Sequence, residues 1–148
     1  PTNVEELCKS ILSELAYPIS KKNLQIKTEY KGLLQNVESD PKLLRIVIQN
    51  LVSNAVKYTP DRGTVTITFE EVGDNKKVVV SDTGVGIPAN QRDRVFTKLF
   101  RADNVRMLEG SQGTGLGLYL VKSVIASLGG SISFESEENK GSVFTITL

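Results

Sequence analysis

Histidine and tryptophan are both absent from these 148 residues, and there is one cysteine, Cys8. Without histidine the chain holds no Ser-His-Asp triad, no Cys-His dyad, no zinc-binding helix with paired histidines, and no imidazole to act as acid or base near neutral pH. A lone cysteine closes no intrachain disulfide and makes no all-cysteine metal site, which suits a reducing compartment, and the apolar residues around Cys8 read as core. Charge of one sign is missing too: 18 Lys and Arg face 17 Asp and Glu, a net charge of +1 spread along the chain. That gives no electrostatic footprint for nucleic acid or an anionic membrane. No apolar run approaches the roughly 18 residues of a membrane span, and no signal-peptide apolar region opens the chain. A start at Pro1 rather than Met is what a piece excised from something longer would show. What is present, 39% hydrophobic and 24% charged residues, describes one compact domain spanning 1–148, large enough to bury a core without disulfides or a structural metal.

Val4, Leu7, Cys8, Ile11, Leu12, Leu15, Ala16 and Ile19 follow helical three-and-four spacing, with Thr2 and Glu5 as a capping box. Leu24 to Thr28 alternates as a half-buried strand, and a short extended piece is expected around Val37. Asp40 is a helix cap and Pro41 suits the first helical position; from there Leu43, Leu44, Val47, Ile48, Leu51, Val52, Ala55 and Val56 form one broad apolar stripe running up to Pro60. Strands follow at Thr64 to Glu71 and around Val78-Val79-Val80, paired through the Gly73-Asp74-Asn75 turn. A third helix carries Leu116 to Leu128 and ends at Gly129-Gly130, before strands at Ser131 to Ser136 and Ser142 to Leu148. This order predicts an α+β two-layer sandwich: one mixed, mostly antiparallel sheet covered on one face by three helices. Between Asp82 and Gln112 lies a loop of about 25 residues holding one short helix, a length that points to a functional lid.

Three segments carry polar chemistry. Asn50, Asn54 and Lys57, at i, i+4 and i+7, share one helix face away from the apolar stripe. Taken alone, such a triplet is more often a solvated face. Asp82-Thr83-Gly84-Val85-Gly86-Ile87 sets a carboxylate at a strand end, then glycines that let a ligand approach the backbone; alone, it is also an ordinary turn. Gly113-Thr114-Gly115-Leu116-Gly117-Leu118 opens a helix, where free backbone N–H groups suit an anion, although a tight turn has the same composition. None is a Gly-Lys-Ser/Thr phosphate loop or the Gly-x-Gly-x-x-Gly dinucleotide spacing, so the two commonest nucleotide folds are disfavoured.

Together, and in this order, Asn50 to Pro60, Asp82 to Ile87, Phe96-Thr97-Lys98-Leu99-Phe100-Arg101-Ala102-Asp103 and Gly113 to Leu118 resemble the N, G1, F and G2 boxes of the catalytic, ATP-binding domain of sensor histidine kinases. The resemblance extends over essentially the whole chain and implies the Bergerat fold shared with gyrase B-type ATPases, with an ATP lid over about 88–113. It implies that Asp82 accepts a hydrogen bond from the adenine amine and so selects ATP over GTP. Gly84, Gly86 and Ile87 would lie against the base and ribose, with Tyr58 either stacking on the ring or simply packing. By the same resemblance Asn54 is the Mg2+ ligand, Lys57 a point charge near the phosphates, and the backbone of Gly113, Thr114, Gly115, Leu116, Gly117 and Leu118 their cradle. In the lid, Arg101 and Lys98 are placed to neutralise the γ-phosphoryl, and Phe96 and Phe100 to anchor the lid.

Asn50 stands where gyrase-like relatives carry a glutamate that activates water. An amide cannot take that proton, so the resemblance favours a kinase over an ATPase, with Asn50, Lys57 and Arg101 as its catalytic residues. The phospho-acceptor would be a histidine on an upstream dimerisation domain, and a response regulator would receive the phosphoryl next. Neither partner is in this chain, which has no histidine to label. Nucleic acid and direct membrane contact are not expected; the setting implied is the cytoplasm, with the parent protein anchored in a bacterial inner membrane or not. A gyrase-type ATPase, a partner-binding module that has lost nucleotide binding, and a serine kinase of the same fold are the competing readings.

Overall fold

The structure, a computed structural model, describes residues 2–31, 36–96 and 117–148. Its first helix, α1, runs Val4–Glu14 and is capped by Asn3, whose side chain accepts the Glu6 N–H at 3.0 Å. The cap is thus one residue later than Thr2, whose hydroxyl donates to the Ser39 carbonyl instead; β1 (Thr2–Asn3) pairs with β3 (Asn36–Val37). These two strands form a small sheet of their own. The helix expected to continue through Ile19 breaks at Leu15, and α2 (Ala16–Lys21) follows. Pro18 explains the break: it has no N–H for the Glu14 carbonyl, and its ring crowds that oxygen. Among the described residues there are consequently four α-helices rather than three.

The long helix α3 (Pro41–Tyr58) starts as the sequence requires: the Asp40 carboxylate accepts the Lys42 N–H at 2.8 Å and the Leu43 N–H at 3.4 Å, and Pro41 opens the first turn. Five strands make the main sheet, in the order β2 (Gln25–Lys31), β4 (Thr64–Val72), β5 (Asn75–Asp82), β7 (Gly141–Thr147), β6 (Ser131–Glu137). Only β2 runs parallel to its neighbour; every other pair is antiparallel. The sheet is therefore mixed and mostly antiparallel, and the chain is an α+β sandwich.

One face of that sheet is apolar. Val65, Ile67 and Phe69 of β4, Val78 and Val80 of β5, and Phe144 and Ile146 of β7 are buried against the α3 stripe Leu44, Val47, Ile48, Leu51, Val52, Ala55 and Val56. Helix α4 (Gly117–Ser127) adds Val121, Val124 and Ile125, and α1 adds Val4, Cys8 and Ile11. Cys8 is core, as its neighbours implied. Burying a side chain of this size is worth about 1.5–3 kcal/mol, so the stripe is what holds α3 at the centre of the helical layer. A 3-10 helix, Ala89–Arg94, is the short helix expected after Asp82. No helix among the described residues is long and apolar enough to cross a membrane.

Candidate functional site

Three chain segments meet at one end of α3. Asn50, Asn54, Lys57 and Tyr58 lie along its last turns and are all half-buried, so their face is not a fully solvated one. The start of α4 lies over this face. A Cβ placed on Gly117 would stand 3.1 Å from Asn50 Oδ1, 3.7 Å from Asn54 Nδ2 and 3.9 Å from Asn54 Oδ1. Leu118, next in α4, packs half-buried against the core. Asn50 Nδ2 donates to the Ile46 carbonyl at 2.6 Å, which fixes the amide and turns its oxygen towards Gly117. Lys57 Nζ lies 5.5 Å from the Tyr58 ring centroid, within cation–π range.

The second segment is the turn after β5. Asp82, its last residue, sits in register with Val65 of β4 and Ser142 of β7. Its Oδ1 accepts the Gly84 N–H at 2.8 Å, and the Ser142 N–H also donates to the carboxylate. Burial pushes the Asp82 carboxyl up from its ordinary value, and these two amides pull it part of the way back. Gly84 is required on geometric grounds: a Cβ there would lie 2.7 Å from Asp82 Oδ1 and 2.7 Å from the Tyr58 carbonyl oxygen. Gly86 has φ +68°, and a Cβ on it would run into the Glu137 carbonyl in the β6–β7 turn. Ile87 is buried, and its N–H donates to Ser136 Oγ at 2.8 Å.

The β6–β7 turn lies where the sequence puts it, but its serines are the part of the site that no local pattern announces. Ser136 Oγ donates to the Gly141 carbonyl at 3.1 Å and lies 2.8 Å from Ser142 Oγ, while the Asn139 N–H donates to the Val85 carbonyl at 2.7 Å. Both serines are buried, so this network fastens the Asp82 turn from the strand side. Nothing local in Gly141-Ser142 announces it; only the register of β7 on β5 brings Ser142 to Asp82.

Phe96 packs edge-on against Phe134, with centroids 5.6 Å apart, and against Phe144 at 6.4 Å, with Lys122 Nζ 5.4 Å from its ring centroid. It ties the segment after the 3-10 helix to the sheet. Lys98, Phe100, Arg101, Gly113, Thr114, Gly115 and Leu116, with most of the expected lid, lie outside the described residues. Among the described residues no three His, Cys, Asp or Glu side chains cluster as a metal cage. The polar groups described here are instead the neutral amides of Asn50 and Asn54, the Lys57 side chain on the same helix face, and the Asp82 carboxylate at the glycine turn. Such a set suits an anionic, base-bearing ligand that brings its own metal ligands.

Residues 39–148 match the family described as histidine kinase-, DNA gyrase B-, and HSP90-like ATPase. Over 146 residues the chain is 38% identical to the adaptive-response sensory kinase SasA of Gloeothece citriformis, covering 98% of this chain and 36% of that protein. It is 32% identical over 146 residues to the sensor histidine kinase ZraS of Escherichia coli, covering 99% of this chain and 30% of the other. The chain thus spans about a third of the length of the curated relatives it matches. Among solved structures, the catalytic domain of histidine kinase ThkA superposes with a TM-score of 0.83 at 30% identity, over 99% of this chain and 92% of that one. Full-length ShkA in complex with AMPPNP superposes at 0.84 and 26% identity, over 99% of this chain and 30% of the other.

Proposed function

Because the chain belongs to the histidine kinase-, DNA gyrase B-, and HSP90-like ATPase family, as the ATP-binding domain of a sensor histidine kinase, we propose that it binds Mg-ATP where α3, the Asp82 turn and the start of α4 meet. From there it presents the γ-phosphoryl to a histidine on a separate dimerisation domain, and a response regulator accepts the group afterwards. The observation that carries this reading is the convergence of Asp82 and Gly84 on the end of α3 while Gly117 covers Asn50 and Asn54.

Each residue then has one task. The Asp82 carboxylate accepts from the adenine amine, which a guanine carbonyl at that position could not supply. Gly84 and Gly86 let the turn pack closely against Tyr58 and the β6–β7 turn and so set the backbone that lies against the base, with Tyr58 and Ile87 beside it. Asn54 would hold the metal through its amide oxygen, a hard neutral donor suited to an ion bound together with phosphate. When bound, Mg2+ neutralises charge on the phosphates. Lys57 adds a point charge, and the backbone from Gly113 to Leu118 supplies N–H donors at the helix start. Arg101 and Lys98 meet the γ-phosphoryl from the lid. The Asn50 amide, already donating to Ile46, has no basic atom for a water proton, so hydrolysis is slow and the phosphoryl is kept for transfer.

Incubation with labelled ATP and a histidine-bearing helical acceptor domain supplied in trans tests this. Acid-labile label on the acceptor, with little free phosphate, is the expected result. Rapid steady-state hydrolysis with an unlabelled acceptor would make the chain an ATPase of the gyrase kind instead.

A further inference from the structure

Helix α3 ends on four carbonyls with no helical partner, those of Val56, Lys57, Tyr58 and its cap Thr59. Val56 lacks one for a covalent reason: the residue four further on is Pro60, which has no N–H. The structure satisfies all four. The last helical bond is that of the Thr59 N–H to the Ala55 carbonyl at 3.1 Å, which the Thr59 hydroxyl joins at 2.6 Å. Tyr58 accepts the Val85 N–H at 3.2 Å. The other three are taken by one side chain: Lys22 Nζ lies 3.0 Å from the Val56 oxygen, 2.7 Å from that of Lys57 and 3.1 Å from that of Thr59. Lys22 is the C-cap of α2, and its own carbonyl accepts the Arg62 N–H at 2.8 Å, so the residue bridges α2, the end of α3 and the turn into β4.

An ammonium with three donors spends all of them on backbone oxygens here. It also sits at the negative end of the α3 dipole, the favourable place for a cation. Burial works against the charge and pushes the Lys22 pKa down, with Asp61 pushing it back up. Three bonds from one ammonium to the carbonyls of Val56, Lys57 and Thr59 tie those carbonyls to one point. The geometry they fix is that of Lys57 and Tyr58, and the Tyr58 carbonyl in turn holds Val85, in the turn that carries Asp82 and Gly84.

We propose that Lys22 is a positioning residue for nucleotide binding, setting the last turn of α3 so that the Tyr58 carbonyl can hold the Asp82–Gly86 turn in its binding conformation. The inference rests on the nucleotide-binding reading above. In Lys22→Met the aliphatic stem stays and the three donors go; Lys22→Arg keeps charge and donors. Affinity for ATP should fall about tenfold in Lys22→Met and return to within about threefold of the parent in Lys22→Arg. Amide hydrogen exchange without nucleotide provides the second arm: Val85 loses protection in Lys22→Met, while Val124 and Ile125 of α4 keep theirs. Protection lost throughout the chain would make Lys22 a stability residue only and overturn the proposal, as would affinity within about twofold of the parent. A parent chain that binds no nucleotide overturns the functional reading itself; the exchange arm still decides whether Lys22 holds the turn.

Discussion

The Tyr58 carbonyl, on the last residue of α3, accepts the Val85 N–H at 3.2 Å, and Gly84 is the residue that lets the two segments come this close. A Cβ at Gly84 would be 2.7 Å from that same oxygen and 2.7 Å from Asp82 Oδ1. Both obstacles are fixed groups, one backbone and one a carboxylate held by two amides, so neither yields cheaply. Gly84→Ala should therefore cost about 1–3 kcal/mol of stability, the usual range for a forced contact in a packed region, and weaken ATP binding at least about tenfold. Urea denaturation and a nucleotide titration on the same variant check this; a variant with parent-like stability and affinity would show that the two segments are not locked together.

Asp82 supplies a prediction with a definite sign. Its folded pKa is raised, chiefly by burial, so the folded chain holds a proton where the unfolded chain has released it. The associated stability is full below the unfolded value of about 3.9 and is lost as pH rises through the folded value. Parent stability, compared with Asp82→Asn by urea denaturation across that window, should decline with rising pH, and the two curves should run parallel above it. In the same variant ATP affinity should fall at least about tenfold with a cooperative unfolding transition retained, because a charged acceptor is lost. Parallel stability curves throughout the window would contradict the raised pKa.

Gly117→Ala separates folding from function. Alanine in a helix in place of glycine is favourable by up to about 1 kcal/mol, but the new Cβ would stand 3.1 Å from Asn50 Oδ1. The expected outcome is a melting temperature equal to or above that of the parent, with weaker binding of ATP in the presence of Mg2+. If binding is also unchanged, the start of α4 is not part of the site.

The parts of the fold set by local chemistry were legible in the sequence. The α3 stripe, its Asp40-Pro41 start and the hairpin at Gly73-Asp74 depend on residues within a few positions of one another. So does the placement of Asn50 and Asn54, four apart, on one face of α3. The structure departs from local expectation at two places: Asn3 and not Thr2 caps α1, and Pro18 breaks the helix that the apolar stripe carries on to Ile19. The remaining features of the site depend on long-range register. Ser142 reaches Asp82 only because β7 lies against β5, and Lys22 reaches the end of α3 only because α2 folds back beside it. Neither residue stands in a recognisable pattern of its own.

The central claim is a nucleotide site in which Asp82 reads the base and Asn54 holds the metal. Calorimetric titration of the chain with ATP, with and without Mg2+, with GTP as control and Asn54→Ala alongside, tests it most directly. The account predicts adenine-selective binding by the parent that tightens with Mg2+, and binding by Asn54→Ala that no longer responds to the metal. Equal affinity for ATP and GTP would contradict the role of Asp82, an unchanged Mg2+ response in Asn54→Ala that of Asn54, and no binding by the parent the site as a whole.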